Sequence, residues 1–311
     1  MAVTAAMVKE LRELTGAGMV DCKNALIETD SDIQKAINYL REKGLAAAAK
    51  KAGRIAAEGV VEILISDDGK KGVVVEVNSE TDFVAKNAEF RTFVDQVAKQ
   101  ALATCTADIE AFMDEKWAAD PSVSVKEALS QKIAIIGENL NIRRFSKIET
   151  TDKGVLSYYI HGGGKMGVLL ELEAPAGNEL VAESGKNICM QIAAMYPKYV
   201  SRDEIDPEFI AKEKEILTAQ AANDEKNANK PAQVIEKMIE GRLNKSLKDY
   251  CLVEQAYVKD NDVTVGQYLE SVGKQVGSPV VAKRFICFER GEGIEKKEEN
   301  FADEVNKVIN G

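Results

Sequence analysis

Few residues in this sequence could do bond-making chemistry, and their spacing narrows the options further. The single histidine, His161, rules out His–His zinc sites and the HExxH pattern. The five cysteines, Cys22, Cys105, Cys189, Cys251 and Cys287, are widely separated and include no CxxC pair. They read as reduced, mostly buried thiols of a cytosolic protein. Gly162-Gly163-Gly164-Lys165 is glycine-rich, but it lacks the spaced glycine before it and the Ser/Thr after the lysine of a phosphate-binding loop. It reads as a hairpin turn that needs positive φ. His161 beside it could serve as a lone general base or as a surface contact for a partner, and no nucleophile or cofactor site accompanies it. The sequence therefore predicts no catalytic group, no metal and no cofactor.

The segment Asn78-Ser79-Glu80-Thr81-Asp82-Phe83-Val84-Ala85-Lys86-Asn87 is unusual, because it places an aromatic residue beside a carboxylate between a buried strand and a helix. Asn87 suits the N-cap of that helix. Two readings stay open. Either Phe83 packs inward while Asp82 caps a turn, or Phe83 is exposed as a wedge and Asp82 probes a cationic or metal-bearing site.

The elements that must position these residues follow from periodicity. Met7, Leu11 and Leu14, then Met19, Cys22 and Leu26, then Ile33, Ile37 and Leu40 predict three short helices. Thr15-Gly16-Ala17-Gly18 breaks the first two, Ser31 with Gln34 forms a capping box for the third, and Gly44 stops it. This is a three-helix module of the ubiquitin-associated kind (residues 1–55), and Leu45–Gly59 reads as a partly helical linker. Val60–Ile65 and Val73–Val77 pair around Asp67-Asp68-Gly69-Lys70, and a helix carrying Phe90, Val94, Val97 and Ala101 follows. The same unit recurs 95 residues later without a gap: Gly154, Gly164, Gly167, Glu171, Gln191 and Ala193 match Gly59, Gly69, Gly72, Glu76, Gln96 and Ala98. The fold class is therefore α+β, with duplicated core subdomains at 56–150 and 151–290. An antiparallel helical hairpin is inserted at about 206–247, starting at Asp206-Pro207. A C-terminal module, 291–311, carries Phe301, Val305 and Val308 on one helical face.

Composition agrees with a globular chain. It has 311 residues, 45% hydrophobic and 30% charged, with a formal net charge of −10. That acidity argues against direct nucleic-acid binding as the main task, and no apolar run suits a membrane or a secretory signal.

Several separated segments, in order, resemble the bacterial elongation factor Ts family: Leu14-Thr15-Gly16-Ala17-Gly18-Met19-Val20-Asp21-Cys22-Lys23, Thr81-Asp82-Phe83-Val84-Ala85-Lys86, Ile136-Gly137-Glu138-Asn139-Leu140-Asn141-Ile142-Arg143-Arg144, His161-Gly162, and Arg290-Gly291-Glu292-Gly293-Ile294-Glu295-Lys296. The resemblance covers essentially the whole chain. It implies a cytoplasmic guanine-nucleotide exchange factor for the translational GTPase elongation factor Tu. It also implies that Thr81, Asp82, Phe83 and Val84 enter the GTPase near its magnesium and phosphate site. Ile136, His161, Leu14 and Met19 lie in segments that resemble partner contacts. A homodimer or a 2:2 complex through the hairpin is a further expectation. The Gly162–Gly164 turn and the polar hairpin tip, Asn223–Lys230, depart from the family's usual form. A competing reading is an adaptor that binds a partner through the helical module without changing its nucleotide.

Overall fold

The computed structural model describes residues 3–224 and 230–295. Three helices open the chain: α1 (Ala5–Thr15), α2 (Met19–Glu28) and α3 (Ile33–Lys51). Val8, Leu11, Cys22, Ala25, Leu26 and Ala36 form their small core. Two sequence expectations fail here. Asp30 and Ser31 both take positive φ, so Ser31 cannot cap, and the extended Asp32 does so by accepting from the Lys35 N–H at 3.0 Å. Gly44 does not end α3, which runs on to Lys51 through much of the expected linker. Gly44 is buried where α3 crosses a later helix, and a Cβ there would already stand 3.6 Å from the Ser130 carbonyl oxygen. Small residues build this crossing, so a search for large apolar residues overlooks it.

The body consists of two three-stranded antiparallel sheets. Strands β1 (Glu58–Ile65) and β2 (Lys71–Ser79) form a hairpin that β5 (Leu140–Glu149) completes in the order β1-β2-β5. Strands β6 (Gly154–His161), β7 (Met166–Glu173) and β10 (Val281–Glu289) make the second sheet in the corresponding order. Between β2 and β5 lie the short helices α4 (Asp82–Lys86) and α6 (Ile109–Asp114), the longer helices α5 (Ala88–Ala103) and α7 (Val125–Ile136), and a ribbon of β3 (Lys116–Trp117) with β4 (Asp120–Ser124). Between β7 and β10 lie α8 (Glu179–Met195), a ribbon of β8 (Ala256–Tyr257) with β9 (Asp260–Thr264), and α11 (Val265–Val276). Both α7 and α11 start with a complete capping box, Ser124 with Glu127 and Thr264 with Gln267. The likeness between the halves thus resumes beyond the 95-residue register, at an offset widened by α9 (Pro207–Asn223) and α10 (Ala232–Tyr250). Asp206 caps α9 with Pro207 at its first position, as the sequence predicts. Phe209 sits edge-on to Tyr199 and Tyr250 at the base of this pair.

Alternation along the strands sorts their side chains into layers. Val60, Val73, Val75 and Val77 face α5 and α7, while Val168, Leu170 and Leu172 face α8 and α11. Val61, Ile63, Val74, Ile148 and Leu169 fill the space between the sheets. Two glycines set that spacing. A Cβ on Gly72 would come within 2.9 Å of Leu169 Cδ2, and one on Gly167, its counterpart in the repeat, within 2.6 Å of Val61 Cγ1. The Val61 N–H also donates to the Gly164 carbonyl at 2.8 Å, linking β1 to the turn after β6. The expected C-terminal helix with Phe301, Val305 and Val308 lies outside the described residues.

Candidate functional site

Thr81 starts α4. Its backbone is extended, and its hydroxyl accepts from the Val84 N–H at 3.3 Å, so Thr81 is the N-cap and the reading of Asp82 as a turn cap is set aside. A five-residue helix has little stability of its own and depends on what surrounds it. Ala85 provides the buried anchor, and Val84 packs partly against the first core. Asn87 ends α4, its N–H donating to the Val84 carbonyl at 2.9 Å, and begins α5, its side chain accepting from Glu89 at 2.7 Å. The sequence had assigned only the second of these roles.

With Ala85 turned inward, Phe83 points to solvent. Its 81% exposure is the largest among the described large hydrophobic residues, so the inward-packed reading fails. Asp82 is half exposed and pairs with Lys86 one turn later at 2.6 Å. The Lys86 hydrogen bond and charge hold the Asp82 carboxyl below the usual carboxylate range. The tip of this element therefore presents an apolar ring beside an ionised carboxylate.

Two further segments join it. The Glu138 carboxylate, just after α7 and Gly137, accepts from both the Thr81 N–H at 3.0 Å and the Thr81 hydroxyl at 2.6 Å. Glu80 reciprocates by accepting from the Asn139 N–H. The Asn139 side chain in turn donates to the Arg54 carbonyl at 2.8 Å, just beyond α3. Arg91 of α5 donates to the Ala85 carbonyl at 2.7 Å and to the Gly163 carbonyl, so it bridges α4 to the turn that follows His161. Gly162, Gly163 and Gly164 all have positive φ, as a tight turn there requires.

His161 is exposed at the end of β6, and its Nδ1 lies 2.9 Å from the Tyr159 hydroxyl. Ile136 is half-buried at the end of α7, against the first core. Leu14 and Met19 are exposed at 61% and 46% on either side of the Gly16–Gly18 break, so they leave the apolar faces their spacing had put them on. Contacts through Arg91 and Glu138 link the 81–84, 136–139 and 161–164 segments. Gly16, between Leu14 and Met19, lies beside the end of α7, where an added Cβ would stand 3.3 Å from Ile135 Cδ1. Sequence reasoning missed Glu138 and Arg91 as supports. Glu138 lies inside a quoted motif, but a lone carboxylate in a loop does not announce its partner, and Arg91 looks like any solvated helix charge. Among the described residues no group of three His, Cys, Asp or Glu side chains is placed to hold a metal ion.

An exposed ring and carboxylate on a braced tip, with further exposed apolar residues on a separate helical module, make a surface suited to acting on another macromolecule by contact. The family model described as Elongation factor TS matches residues 80–292. Proteins named Elongation factor Ts from Clostridium novyi (strain NT) and Clostridioides difficile (strain 630) are 52% and 53% identical to this chain, with 99% of each chain covered. The protein of that name from Clostridium kluyveri is 52% identical over the same share. The chain belongs to the elongation factor Ts family.

Proposed function

We propose that α4 is the element with which this chain, a guanine-nucleotide exchange factor for the translational GTPase elongation factor Tu, opens its partner's nucleotide site. The observation that carries the reading is the exposure of Phe83 on a helix whose ends are braced by Glu138 and Arg91. A GTPase holds its nucleotide through backbone amides, a lysine and Mg²⁺ that bridges the phosphates. An exchange factor need only bind the empty GTPase better than the loaded one, and reciprocity then weakens nucleotide by the same factor. A 10³-fold weakening takes about 4 kcal/mol, and burial of one Phe supplies roughly 1.5–3 kcal/mol. Phe83 is the wedge, and Asp82 brings negative charge toward the magnesium and phosphates. Leu14, Met19, Ile136 and His161 supply the remaining docking energy.

In this reading the chain works in the cytoplasm without a cofactor, a metal or direct contact with nucleic acid, and it makes or breaks no covalent bond. The N-terminal helices are a UBA-like docking module (1–55), 56–150 and 151–290 are the two halves of the contact body, and 291–311 is a small terminal module. The exposed Ile216 and Val234 on α9 and α10 support pairing of two copies through that hairpin. Mixing the protein with elongation factor Tu loaded with labelled GDP tests the reading. Accelerated loss of label is expected, whereas an adaptor would bind and leave the release rate unchanged.

A further inference from the structure

We propose that Glu138 is the positioning residue that presents Phe83 for nucleotide release, an inference that rests on the wedge reading of Phe83. A carboxylate accepts hydrogen bonds and donates none. By accepting a hydrogen bond from the Thr81 hydroxyl at 2.6 Å, Glu138 turns the hydroxyl so that its lone pair faces the Val84 N–H, 3.3 Å away. By taking the Thr81 N–H at 3.0 Å as well, it fixes the backbone from which α4 departs. The first turn of α4, the turn that carries Phe83, is therefore oriented by a side chain 57 positions later in the sequence. Ala85, Val84 and Arg91 secure the other end of the helix and leave the direction of the Asp82-Phe83 pair to this clamp.

Glu138 itself is held in place. It follows Gly137, whose φ of +87° ends α7, and its neighbour Asn139 is gripped by Glu80 through the backbone N–H and reaches the Arg54 carbonyl through its side chain. The clamp thus connects α4 to α7, on which α3 of the N-terminal helices is seated. Charge-assisted hydrogen bonds of this kind are among the stronger ones in proteins.

The test measures GDP release from loaded elongation factor Tu by stopped flow, with wild type, F83A, E138A and the double variant F83A/E138A. E138A is expected to slow release at saturating exchange factor about tenfold, with less than about a threefold change in the half-saturating concentration. In the F83A background E138A is expected to have no further effect, because the residue acts through Phe83. E138Q keeps one acceptor for the Thr81 N–H but offers its amide as a donor to the hydroxyl. It should slow release about threefold, again only while Phe83 is present, and it serves if E138A does not fold. The proposal is overturned if E138A slows release by the same factor with and without Phe83, or leaves it unchanged where F83A slows it. If F83A alone leaves release unchanged, the wedge reading itself falls and the proposal falls with it.

Discussion

Phe83 stays in water because its neighbours occupy the other positions of the turn: Thr81 caps, Ala85 is buried and Lys86 reaches back to Asp82. The ring therefore contributes almost nothing to the chain's own core, and its apolar area is free to be buried in a partner. Asp82 is ionised through the neutral range, since Lys86 holds its pKa down. To approach a magnesium site it must exchange the Lys86 ammonium for the metal, a small loss at a solvent-exposed pair. D82A should slow nucleotide release by no more than F83A does and should change its dependence on Mg²⁺. A titration of free Mg²⁺ against the stimulated rate checks this, and a dependence identical to wild type would remove any role for Asp82 at the metal.

At the scale of elements, the close approach of the two sheets rests on Gly72 and Gly167. G167A would drive a methyl group into Val61 from β7 and should cost about 1–3 kcal/mol, read from urea unfolding. G72A meets the ends of Leu169 and Leu156, which can rotate away, so its loss should be the smaller of the two. These glycines were visible in the sequence as a repeated pair, because matching hairpins need matching turns and spacings. The hairpins themselves, the N-cap of α5 and the start of α9 were legible for the same reason: each depends on residues close in sequence. What could not be read depended on distant partners. The continuation of α3 through Gly44 requires α7 opposite it, and the positive φ of Ser31 overrides a good capping sequence. Within the candidate site, the exposure of Phe83 was one of two open readings, and only packing decided between them. Glu138 and Arg91 act across 57 and 72 positions of chain, beyond the reach of any local pattern.

Over the whole molecule, one buried carboxylate ties the chain's later residues to its first sheet. Burial alone would raise the pKa of Glu76. The Gly291 N–H, the Asn78 amide, the Arg143 guanidinium and the Arg144 charge together outweigh that and hold it below the usual carboxylate range. Glu171, its counterpart in the repeat, pairs with Arg284 on β10 at 2.7 Å, so each sheet has its own Glu–Arg brace. Because the folded-state pKa of Glu76 lies below the unfolded one, its stabilisation is present above about pH 4.5 and is lost as pH falls through the depressed value. E76Q should lose about 2–3 kcal/mol at pH 7, and its urea midpoint should converge on that of wild type in strong acid. A constant difference between the two at every pH would show that the charge of Glu76 is not what holds this junction.

These braces surround an exposed apolar tip at Phe83, and the proposed role of that tip is what the account turns on. The most direct measurement is stopped-flow release of labelled GDP from elongation factor Tu, driven by saturating wild-type protein or F83A. Removing the ring should slow stimulated release about 10- to 100-fold, in line with roughly 1.5–3 kcal/mol of lost burial, while far-ultraviolet circular dichroism and the unfolding midpoint stay close to wild type. Release by F83A as fast as by wild type would contradict the account.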